Sequence, residues 1–162
     1  IDFACRRIAQ GLDAAIAVEG KRAWSGEVEA LYVEGHNSDA DVQALAGTRI
    51  IAAALPGVVA DGRDRDAREE LQKGAMHAGR ALSMSGLALG HAMAQALGGR
   101  FGVPHGAMNA LCLPPALEFN REHAPEAVTR FGAALRGDAV ERARELAQLG
   151  GFNRLRDEGI PE

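Results

Sequence analysis

GLALGHAMAQALGGRFGVPHG, residues Gly86 to Gly106, is the stretch whose reading decides this chain. From Leu87 to Leu97 the apolar residues recur at helical spacing, and His91 and Gln95 stand four apart, so both project from one helix face. The Gly98–Gly99 pair is expected to end that helix and let the chain double back. Val103–Pro104–His105–Gly106 then sets a second histidine at the start of the next helix. Gly90 beside His91 leaves room for an approaching ligand. Two neutral imidazoles held in this way are reasonable ligands for Fe²⁺ or Zn²⁺, although a competent site usually needs three or four. The competing reading is two histidines hydrogen-bonded at helix ends.

Working outward, helical periodicity recurs and strand alternation does not. Ile1 to about Val18 reads as a helix. Ser25 is a plausible N-cap for Gly26 to Glu34, with Val28, Leu31 and Tyr32 on one face. Ser38 caps a long helix from Asp39 to Leu55, which Pro56 is expected to stop. Asp66 and Glu69 form a capping-box pattern for a helix reaching about Met84. The helix opened by Pro104 is expected to end near Pro114–Pro115. Pro125 begins another, and Asp138 with Glu141 opens a last one to Leu149. The tail, Gly150 to Glu162, carries no decisive pattern. The fold class is all-α.

Composition agrees. Of 162 residues, 47% are hydrophobic and only 4% aromatic, so the apolar content is mainly Ala, Leu and Val, suited to closely packed helices. The net charge of −4 is spread over interspersed acids and bases, which argues against a nucleic-acid surface. No lysine-rich amphipathic face suggests a membrane, and the apolar runs read as shorter than a span. Cys5 and Cys112 belong to no metal-binding spacing and read as buried reduced thiols of a cytoplasmic protein.

The segment GLALGHAMAQALGGRFGVPHGAMNALCLPPALEFN, Gly86 to Asn120, resembles the signature region of iron-containing alcohol dehydrogenases and maleylacetate reductases. Val28–Glu29–Ala30–Leu31–Tyr32 is similar to that family's Val-Glu-Ala-Leu-Tyr helix, and Leu55–Pro56 and Leu155–Arg156–Asp157 fit later points. The resemblance covers roughly Glu27 to Glu162. It implies a C-terminal helical, dehydroquinate synthase-like domain that holds a metal, with NAD(P) bound by a separate N-terminal α/β domain and a small-molecule substrate between the two. One Asp and three His typically hold the metal, and His91 and His105 match the last two histidines. Gln95 stands where many members carry a further histidine. It can hydrogen-bond an alcohol but cannot titrate.

The N-terminal ligand positions depart from the family pattern. Aligning Val28 to Tyr32 puts them on Arg22 and Gly26, and neither residue binds a divalent cation. A second register takes Gly11–Leu12–Asp13–Ala14 as the acidic motif, recovering Asp13 as a metal ligand but placing Ala17 at the histidine position. His36 is a conceivable substitute, although it, His77 and His123 read more simply as histidines without a metal role. The sequence contains no strand–Gly-rich loop–helix unit, so it has no dinucleotide site of its own. The expectation is one helical metal and substrate domain over 1–162, cut from a larger enzyme at both ends. NAD(P) would come from a nucleotide-binding domain, supplied in trans if encoded separately, and the family leans towards a homodimer. The catalytic assignment is Gln95; the metal ligands are His91, His105 and Asp13. The alternative is a non-catalytic, metal-poor helical remnant or interaction domain.

Overall fold

The computed structural model describes residues 27–161. Among them lie helical residues 27–30 (α1), α2 (Ser38–Ala60), α3 (Arg65–Ser85), α4 (Leu89–Phe101), α5 (His105–His123), α6 (Pro125–Leu135) and α7 (Ala139–Leu149). A 3₁₀ turn, Leu155–Glu158, follows, and the described residues include no strand. The expected first helix, Ser25 and Asp13 lie outside the described residues.

Helix ends follow local chemistry, in places one or two residues from the expected cap. Asn37, rather than Ser38, caps α2 by accepting from the Ala40 N–H, and its amide also donates to Met84 O, pinning the α1–α2 turn to the end of α3. Asp64 caps α3 through the N–H groups of Asp66 and Ala67. Asp138 caps α7 through those of Val140 and Glu141, and these bonds, with Arg121, hold its carboxyl below the usual carboxylate range. Residues 31–35 form turns rather than extending α1 to Glu34.

Prolines mark helix ends less often than expected. Pro56 lies inside α2, which continues to Ala60. An interior proline costs about 3 kcal/mol, whereas burying Leu55 and Val58, both 0% exposed, returns about 3–6 kcal/mol together. Packing therefore carries the helix through. Likewise α5 runs eight residues beyond Pro115, because Leu113 and Leu117 are buried in the main core on either side of the prolines. Gly98 and Gly99 do not end α4; Gly102, at φ 70°, does. Gly98 serves a close approach, since a Cβ there would lie 3.3 Å from Met108 Cγ and 3.2 Å from Val103 O.

α2 is long and apolar enough to cross a bilayer by composition alone. It lies instead against α3, α6 and α7. The main core joins Val28 of α1 and Leu31 of the turn after it to Ile51 and Leu55 of α2, Leu117 of α5, Phe131 of α6 and Val140 of α7. A smaller cluster of Ala94, Met108, Cys112 and Ile160 sits between α4 and α5. Burial pushes the Cys112 thiol up to about 11, in keeping with an unreactive thiol.

Where α2 crosses α3, Gly47 and Gly74 bring the two backbones together, and the space beside them holds the carboxyl of Glu27. Glu27 is fully buried; Thr48 Oγ1 donates to its Oε2 at 3.0 Å, and Oε1 has no partner. Burial outweighs the Thr48 bond and raises its pKa well above the ordinary value. The folded state therefore holds this proton more tightly than the unfolded chain. Its contribution to stability is fully present below the unfolded pKa and declines as pH rises towards the folded one. Glu27→Gln is expected to remove that component, so the difference in unfolding free energy between variant and parent grows from pH 5 to pH 8. Denaturant titrations across that range check it; a constant difference would refute it.

Candidate metal centre

α4 begins without a side-chain cap of its own, because Ala88 occupies the N-cap position. Four N–H groups at a helix start need acceptors, and Glu29 of α1 reaches across to supply them. Its Oε2 accepts from Ala88 N–H at 2.9 Å and its Oε1 from His91 N–H at 2.9 Å. The same Oε2 lies 2.7 Å from His91 Nδ1. Both side chains are buried, at 0% exposure for Glu29 and 6% for His91. Gly90 permits this approach, since a Cβ on it would stand 2.9 Å from Glu29 Oε1. The room expected beside Gly90 for a ligand is thus occupied by a carboxylate. Burial, and secondarily the charge of Glu29, raises the pKa of Tyr32.

His105 is the first residue of α5, after Pro104, and is half-buried. Its ring centre lies 5.8 Å from that of His91, with 49° between the planes. A metal–nitrogen bond of about 2.1 Å puts a ring centre about 3.2 Å from the ion. Two such rings around one ion then stand about 5–6 Å apart, so the observed pair fits a shared cation. Among the described residues no group of three or more His, Cys, Asp or Glu side chains forms a metal cluster. Of the expected ligands, His91 and His105 stand side by side, and Asp13 lies outside the described residues.

Gln95 is one turn beyond His91 but exposed, while its neighbour Ala94 packs into the smaller core cluster. The other histidines stand apart from the pair. His36 is exposed; His77 Nδ1 pairs with Gln43 Oε1 at 2.8 Å; His123 bonds Phe119 O and stacks on the Phe119 ring. Sequence reasoning did not single out Glu29, although it lies in the Val28–Tyr32 string. It also passed over Asn109, one turn beyond His105, which is fully buried with both amide atoms unpaired.

This helical fold and its paired imidazoles define a class. The Fe-containing alcohol dehydrogenase family, C-terminal, matches residues 25–162, and the chain belongs to that family. It is 36% identical over 150 residues to the probable alcohol dehydrogenase EutG of Escherichia coli K12, covering 88% of this chain and 38% of that protein. With maleylacetate reductase 1 of Rhodococcus opacus it shares 33% identity over 129 residues, 79% of this chain and 36% of that one. The crystal structure of a putative alcohol dehydrogenase from Ralstonia eutropha JMP134 superposes with a TM-score of 0.85 at 34% identity, covering 90% of this chain and 42% of the other. The chain thus spans less than half the length of the relatives it matches. The family's name carries iron, and nothing in these relationships supports zinc.

Proposed function

We propose that this chain is the metal- and substrate-binding part of an NAD(P)-dependent oxidoreductase acting on an alcohol, its carbonyl counterpart or a maleylacetate-like acid. The observation that carries the reading is the His91–His105 pair, 5.8 Å apart, at the facing starts of α4 and α5. His91 and His105 hold ferrous iron, with Asp13 as the acidic ligand. Iron bound there supplies Lewis-acid polarisation of a substrate oxygen. Gln95 offers an amide that can donate to or accept from a substrate hydroxyl without exchanging its charge state. A proton leaving the substrate therefore passes to water or cofactor and not to residue 95. The nicotinamide comes from a nucleotide-binding domain, in the same longer protein or in trans.

Anaerobic titration of the full chain with Fe²⁺, followed by NMR, tests this. Paramagnetic broadening is expected first at the imidazoles of His91 and His105, saturating at one iron per chain, while His36, His77 and His123 remain sharp. No binding, or broadening that begins at the other three, would overturn the reading in favour of a non-catalytic helical domain.

A further inference from the structure

We infer that Glu29 is a positioning residue for the centre: it selects the His91 tautomer that presents Nε2 to a metal and welds that imidazole to the start of α4. The inference deepens the proposed function and rests on it where iron is concerned. The geometry is specific. Each carboxyl oxygen of Glu29 already accepts a backbone N–H, Oε2 from Ala88 and Oε1 from His91, so the group meets its neighbours as an acceptor. With Oε2 turned to its neighbours as an acceptor, the proton of the 2.7 Å contact is assigned to His91 Nδ1. In the Nδ1–H tautomer the ring's lone pair lies on Nε2.

The carboxylate also spans backbone and side chain of one residue. Oε1 fixes the His91 main chain while Oε2 fixes its ring, so the imidazole cannot turn without breaking a bond that caps the helix. Carboxylates behind metal-bound histidines typically change metal affinity about 10–100-fold when removed. Here that effect and the capping of α4 reside in one side chain, donated by an element that also contributes Val28 to the main core. Folding of α1 onto the core thereby sets the geometry of a ligand on α4.

Glutamine cannot replace it. An amide oriented to accept from Nδ1 turns its NH₂ towards the His91 N–H, donor against donor. Gly90→Ala makes an independent perturbation, because its methyl would stand 2.9 Å from Oε1 without changing any charge.

The test begins with metal-depleted full chain and long-range ¹H–¹⁵N spectra of the histidine rings. His91 is expected as the Nδ1–H tautomer, and finding it as Nε2–H overturns the inference. In Glu29→Gln and in Gly90→Ala, the tautomer should become mixed and iron affinity should fall about 10–100-fold, with the His105 ring spectrum of the metal-free protein unchanged. Retention of both the tautomer and the affinity in either variant also overturns it. The tautomer is read without metal and in the unsubstituted protein. Failure of the iron-centre reading, seen as no binding by the parent chain, is thus separable from failure of the role given to Glu29.

Discussion

A chain carrying both His91→Ala and His105→Ala is expected to lose at least about 100-fold in ferrous iron affinity while remaining folded. Two of the four ligands typical of such a centre go at once, and a partial ligand set binds weakly. Folding survives because the carboxylate of Glu29 still accepts from two backbone N–H groups, which do not depend on the side chain at residue 91. The hydrogen bond from His91 to Glu29 is worth about 1.5–3 kcal/mol, against a typical domain stability of about 5–15 kcal/mol. His105 is half-buried at a helix start, so its truncation costs less. Iron stoichiometry after equilibrium dialysis, alongside circular dichroism melting, provides the check. Unchanged iron binding in a folded double variant would remove these two residues from the centre.

Gly47→Ala is expected to produce the largest loss of stability, about 3 kcal/mol. Its methyl would be built 1.9 Å from Glu27 Oε1 and 3.0 Å from Gly74 O. The tip of a glutamate can normally swing away, but this one is 0% exposed and bonded to Thr48. The alternatives are to separate α2 from α3 or to expel a side chain that belongs to the helix crossing. Adding Glu27→Ala should recover much of the loss, because the two substitutions act on one volume and their effects are coupled. Gly99→Ala provides the contrast: nothing lies within 4 Å of the added methyl, and a helical Gly-to-Ala change there should stabilise by about 0.5–1 kcal/mol. Denaturant unfolding of Gly47→Ala, Glu27→Ala, their double variant and Gly99→Ala decides. Additive effects of Gly47→Ala and Glu27→Ala would contradict the packing described.

Much of the architecture is legible in the residues. The 3.6 period, Asp138 before α7 and Pro125 at the start of α6 all act locally, within a turn of where they stand, whereas α3 is capped by Asp64 and not by the expected Asp66. Pro56 and Pro114–Pro115 are local stop signals, yet the helices pass through them because buried residues beyond them, Val58 in α2 and Leu117 in α5, outweigh the local cost. Gly98–Gly99 likewise reads as a stop, but α4 runs on to Phe101. Such a balance depends on which neighbours a residue meets, and spacing along the chain does not contain that information.

The centre divides in the same way. His91 and His105 are visible as residue types at a characteristic spacing, and that spacing also carries the family resemblance that the comparison with relatives bears out. Glu29 sits within the helix expected from Gly26 to Glu34, and nothing in the local pattern gives it a role. Its role appears only when α1, 62 positions away along the chain, packs against the start of α4.

By itself, then, the sequence determined an all-helical domain of the iron-type alcohol dehydrogenase family and singled out two histidines at a characteristic spacing, because periodicity, capping and motif spacing are properties of neighbours along the chain. Only the tertiary structure decided that the imidazoles stand 5.8 Å apart and that a buried carboxylate grips one of them by ring and backbone at once. Those outcomes depend on burial and on contacts between distant elements, which come into being only when the core closes.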